Sequence, residues 1–181
     1  MRNYSKEFEM IVKAYEKSGG NVSNLLRKDI ASIIINGDKV IGLNNVQGVR
    51  LEPQKIENGV SVNIEIKGYI KNPIHICTGY VGKEGYQKVI FNITVEENSS
   101  VNFISHCSFP WSEDFTHEAE MYVHVKPGGR MEYRDEHFHS ESGKINLISK
   151  VKAVVEKGGY FADFFKFRKV GSSRYECVLR L

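Results

Sequence analysis

Cysteine, proline and tryptophan are scarce in this chain of 181 residues, at 3, 4 and 1. Three cysteines with no export signal argue against a disulfide framework and predict free thiols in a reducing cytosol. Four prolines against 16 glycines, with many Val, Ile, Phe and Tyr, lean towards β structure. Excess charge is also missing. The 25 basic and 22 acidic residues leave a net +3, too weak a field to predict binding to nucleic acid or to a membrane surface. The longest largely apolar stretch, Ile30 to Ile35, is far short of the ~20 residues a membrane helix needs. The charged start MRNYSKEFEM has no signal-peptide core. What remains, 41% hydrophobic and 26% charged, excludes a disordered chain and a coiled coil and fits one domain with a real core.

The chain begins as a helix and continues as strands. Ser5 is a good N-cap, Phe8, Ile11, Val12 and Tyr15 share one helical face, and Gly19-Gly20 would stop the helix. A second helical piece is expected around Val22 to Lys28. Residues 1–29 thus read as a helical cap and residues 30–181 as the core. Asn36-Gly37, between β-branched residues, predicts a tight hairpin within Ile33 to Gly42. Val60, Val62, Ile64 and Ile66 alternate with polar residues, as in a strand with one buried face.

A repeat organises the rest. VEENSSVNF, VKPGGRMEY and VEKGGYFAD begin at Val95, Val125 and Val155, 30 residues apart. The turn column holds Asn98, Gly128 and Gly158, all tolerant of positive φ, and stepping back once more reaches Gly68. Phe91, Met121, Val151 and Leu181 align, as do Val101, Met131 and Phe161, and Glu120, Lys150 and Arg180. Strand, glycine turn and strand at constant length encode a parallel β-helix, right-handed by the general chirality of parallel crossovers. The expected class is therefore all-β: a right-handed parallel β-helix of about 30 residues per coil behind a short α-helical segment, incomplete at its C-terminal end.

The period also aligns chemistry. Cys77, Cys107 and His137 fall in one column, followed by Phe167, so two thiols and an imidazole would lie within reach of an iron–sulfur cluster or a metal ion. Counting in twos from Val101 and Phe103 puts Ser105 and Cys107 inside, so the same ladder also reads as core filling, the commoner role of a buried cysteine. The next column places His106 beside Glu136, and His137-x-His139 before Glu141 offers a metal pair of cupin type. No GxSxG, P-loop, GxGxxG or HExxH motif occurs. The acid pairs do not stack on other acids, since Glu118 meets Lys88 and Ile148. Tyr160, Phe161, Phe164, Phe165 and Phe167 are expected to close the core of the last coil.

PIHICTG (Pro73 to Gly79), ITVEENSSVNFISHCSFP (Ile93 to Pro110) and HEAEMYVHVKPGGRMEYRDEHFH (His117 to His139) resemble the SufB/SufD family of iron–sulfur cluster assembly proteins. INGDKVIG (Ile35 to Gly42) and KAVVEKGGYFADFFKF (Lys152 to Phe167) extend the resemblance to nearly the whole chain from Ile30. It implies a cytoplasmic scaffold rather than an enzyme, with a parallel β-helix core. It implies as partners a SufC-type ABC ATPase and another SufB/SufD-like subunit, with an iron–sulfur cluster bound only transiently. The family's cluster-related residues and ATPase-binding segment lie further on than Leu181, so no site residue carries over by motif. The other readings are a cupin-like metal enzyme and a structural β-helix that forms homo-oligomers through its open end.

Overall fold

The structure, a computed structural model, describes residues 6–17, 21–109, 111–139, 144–168 and 172–180; the side chains of 17, 138, 139, 144, 167, 168, 172–175, 177 and 179 lie outside that description. Ser5, Gly19, Gly20, Glu141 and Leu181, to which the sequence gives roles, are not among the described residues.

Helix α1 (Lys6–Lys17) buries Phe8, Ile11, Ala14 and Tyr15, the face that the 3.6-residue spacing predicts. Helix α2 (Val22–Leu26) follows, capped by Asn21, whose side chain accepts from Ser23 N. Two hairpins come next: β1 (Ser32–Asn36) with β2 (Lys39–Asn44), and β3 (Val49–Ile56) with β4 (Gly59–Ile66). Gly37 has φ +60°, as the Asn-Gly turn requires.

From there the strands are parallel and alternate between two sheets. One sheet takes β5 (Ile74–Gly79), β7 (Ser100–Phe109), β9 (Arg130–His139) and β11 (Tyr160–Arg168) in the order β11-β9-β7-β5-β1-β2. The other takes β6 (Glu84–Val95), β8 (Asp114–Val125), β10 (Lys144–Val155) and β12 (Ser172–Arg180) in the order β12-β10-β8-β6-β4-β3. This is the parallel β-helix expected from the period. Among the described residues no helix is long and apolar enough to cross a membrane.

The turn column behaves as its residues predict: Asn98, Gly128 and Gly158 all have positive φ, as does Gly68. Asn98 N donates to Pro127 O and Gly128 N to Lys157 O, so each turn is tied to the next coil. Inside the solenoid, Val101, Phe103, Met121, Val123, Met131 and Val151 join the main apolar core.

Two registers depart from the constant period. Gly59 faces Lys88 and Ile74 faces Phe103, a step of 29 residues, whereas later coils step by 30. At the far end Val151 faces Cys177 and Lys150 faces Glu176, a step of 26. The expected Glu120–Lys150–Arg180 column is therefore wrong in its last member, because Arg180 stands opposite Val154. In the Phe91–Met121–Val151 column the place after Val151 is taken by Cys177. The aromatic segment also divides: Phe161 packs on the core, while Tyr160 and Phe164 are exposed beneath the guanidinium groups of Arg130 and Arg134.

Candidate functional site

The 29-residue step decides where the cysteines sit. Cys77 stands opposite His106, and Thr78 opposite Cys107. A slip of one residue moves a strand's side chains to the other face of the sheet. The Cys77–Cys107–His137 ladder is therefore corrected. Cys77 packs outside the solenoid beneath α1, with Phe8, Ile11, Tyr15 and Ile34. Cys107 and His137 remain paired in register, and both are buried.

The outer-face group is a tight one. Tyr15 Oη lies 3.2 Å from His75 Nδ1, and the ring of His106 meets Tyr15 edge-on at 4.7 Å. Burial, with His106 adding to it, lowers the His75 pKa to about 4, and burial pushes the Cys77 thiol up to about 12. His106 and Glu136 are neighbours as expected, but Glu136 pairs with Lys166 at 3.2 Å. His139 is in register with Phe109 at the end of β9.

The interior holds a different set. Sulfur and ring-nitrogen atoms of Cys107, His117 and His137 all lie within 4.8 Å of one another, the only such group of three among the described residues. They come from β7, β8 and β9, so the set spans both sheets. The 30-residue columns do not bring out His117, although the sequence carries a signal for it. Counting back in twos from buried Val125, Val123 and Met121 on β8 reaches His117 on the inner face.

Each member has an interior partner. Gln87 is fully buried, and its Nε2 donates to Gly37 O at 2.8 Å and Gly79 O at 3.1 Å. Those two bonds orient the amide so that Oε1 faces His117 Nδ1 at 3.0 Å. Asp135 Oδ2 lies 2.8 Å from His137 Nε2, while its Oδ1 is 3.8 Å from Cys107 Sγ. Thr78 Oγ1 donates to Cys107 Sγ at 2.9 Å. Burial pushes the Cys107 thiol well above its usual pKa, and the Asp135 carboxylate adds to the effect. Burial would raise Asp135 too, but the charge and hydrogen bond of His137 outweigh it and hold the carboxyl below its usual value. Phe109, Phe115 and Ile145 close one side of this polar layer, and Phe165 lies 4.7 Å from the His137 ring. A cavity of about 20 Å³ lined by Ser105, Cys107, Asp135 and Ser149, among others, abuts it.

Two other chemistries fit poorly. Cupins are antiparallel jelly rolls, whereas this chain is a parallel solenoid. A glycosidase needs a carboxyl with a raised pKa. Glu118 has the opposite, lowered to about 2 by the Tyr86 hydroxyl and by Lys150 and Lys88.

No protein-family model matches the chain. Two curated proteins do. A SufBD family protein of iron–sulfur cluster assembly from Pyrococcus horikoshii is 46% identical over 169 residues, 92% of this chain and 51% of the relative. One of the same description from Methanocaldococcus jannaschii is 26% identical over 166 residues, 91% of this chain and 52% of the relative. The chain spans about half the length of these relatives. Coverage this high necessarily includes β5 to β10, the strands that build the interior site. Over the span it shares with them, the chain is similar to SufBD family proteins of iron–sulfur cluster assembly.

Proposed function

We propose that this chain forms part of a scaffold on which iron–sulfur clusters are assembled, working with a SufC-type ABC ATPase and a second SufB/SufD-like subunit. The observation that carries this reading is the match to the Pyrococcus relative over 92% of the chain. The geometry supports it in two ways. A stack of parallel coils is a rigid support. Cys77 and Cys107 are free and buried, as suits a reducing cytoplasmic setting. The cluster is cargo in this reading, held transiently before transfer.

The test is anaerobic reconstitution of the purified chain, together with the ATPase and partner subunit from the same cell, using ferrous iron and sulfide. Retention of iron and acid-labile sulfide in the complex, and their delivery to an apo-acceptor, is expected. A complex that neither forms nor retains iron and sulfide would overturn the proposal.

A further inference from the structure

We propose that Cys107, His117 and His137 form a resident site for a single divalent ion of borderline softness, zinc or ferrous iron, inside the solenoid. The proposal does not depend on the assembly function. It would hold equally in a β-helix that never meets a cluster.

Donor chemistry comes first. One thiol and two imidazoles suit zinc and ferrous iron, whereas magnesium and calcium take oxygen ligands. A cluster is a poor fit for the same atoms, because biological clusters are held by four side chains that are mostly thiolates, and this group offers one. Bond lengths of about 2.0–2.3 Å place tetrahedral donors roughly 3.3–3.8 Å apart. The donors here lie within 4.8 Å of each other, so closing on an ion takes side-chain shifts of about an ångström rather than a change of fold.

The surrounding shell points the same way. Histidines that bind metal characteristically donate their other ring N–H to a carboxylate or carbonyl, which fixes the tautomer. Both histidines do so. His117 Nδ1 faces Gln87 Oε1, which puts its lone pair on Nε2, and His137 Nε2 faces Asp135, which puts its lone pair on Nδ1. Gln87 is itself held by two backbone carbonyls, Gly37 O in the β1–β2 turn and Gly79 O at the end of β5.

Charge also closes. A +2 ion, the Cys107 thiolate and the Asp135 carboxylate sum to zero, which a buried site requires. The adjoining cavity of about 20 Å³, lined by Cys107 and Asp135 among others, has room for one water beside the thiol.

The experiment titrates the chelator-treated chain of 181 residues with Co²⁺ alone. One equivalent should bind, with thiolate-to-cobalt charge-transfer absorption and strong tetrahedral bands. Cys107→Ala should abolish the charge-transfer band, and Cys77→Ala should leave it intact. Gln87→Leu should keep the band but weaken affinity about 10–100-fold, the usual effect of losing an outer-shell partner. Zinc-edge X-ray absorption on the unmutated, zinc-loaded chain decides the matter even if a variant does not fold. One sulfur at about 2.3 Å and two imidazoles at about 2.0 Å are expected. Absence of stoichiometric binding, a band that survives Cys107→Ala, or a shell without sulfur would overturn the site. None of these results depends on iron–sulfur reconstitution, so the site and the scaffold reading can fail separately.

Discussion

Asp135 and His137 lie two residues apart on β9, and their side chains pair inside the solenoid at 2.8 Å between Oδ2 and Nε2. Two members of one strand face the same way only at even spacing, so the pair is a product of the strand's period. Removing one member leaves the other buried without its hydrogen-bond partner. Asp135→Ala leaves the His137 Nε2–H unsatisfied and is expected to cost about 1–3 kcal/mol. Asp135→Asn keeps a carbonyl that His137 can donate to, and should cost less. Urea denaturation of the two variants measures the difference, and equal costs would mean the bond to His137 has no part in stability.

The one-residue step between β5 and β7 makes a covalent prediction. Thr78 faces Cys107 across neighbouring strands, with Oγ1 2.9 Å from Sγ, while Cys77 projects to the opposite face. Under mild oxidation a Thr78→Cys chain should form a 78–107 disulfide, and the unmodified chain should form no 77–107 bond. Non-reducing peptide mapping distinguishes them. A 77–107 bond in the unmodified chain would restore the uniform 30-residue register.

That step marks the boundary of what the sequence shows. The columns from Phe91 to Val151 and the turns at Asn98, Gly128 and Gly158 are legible because strand and turn lengths do not change there. The period misplaces Cys77 because the first coil is one residue shorter, and nothing in a run of apolar residues announces a register slip. It misplaces Arg180 for the same reason, with a change of four residues. His117 escapes because an inward count along the strand bearing Cys107 does not reach its partner in the opposite sheet. The interior set joins residues from three strands, and only the closure of both sheets around one core brings them together.

His75 makes stability pH-dependent. Its pKa falls from 6.5 to about 4 on folding, through burial and the neighbouring His106, with Tyr15 and Cys77 as the other titratable groups around it. Between those values the unfolded chain binds the proton more readily than the folded one. The contribution is therefore complete above about pH 6.5, declines as the pH falls through this window, and is gone below about pH 4. Denaturant midpoints measured between neutral pH and the lower end of that window should fall, and the fall should be shallower in His75→Gln. An unchanged slope in that variant would assign the acid sensitivity elsewhere.

The attachment of α1 can be separated from the integrity of the coils by two glycines. Gly79 ends β5 where α1 crosses the sheet. A Cβ there would sit 2.7 Å from Ile11 Cδ1 and 3.0 Å from Ser108 O, with no positive φ to add backbone strain. Gly79→Ala must therefore displace the Ile11 side chain or the helix that carries it, and overpacking of this kind typically costs about 1–3 kcal/mol. Gly128 is the converse case: its φ of +68° penalises any L-residue by roughly 1–2 kcal/mol at a turn far from α1. Hydrogen exchange should show faster amide exchange in α1 for Gly79→Ala, with β8 and β10 unchanged. For Gly128→Ala, loss of protection should centre on residues 126–130 and the paired turn amide of Asn98. The same exchange pattern in both variants would mean that α1 and the solenoid open as one unit, and that the helix is part of the β-helix core rather than a cap laid upon it.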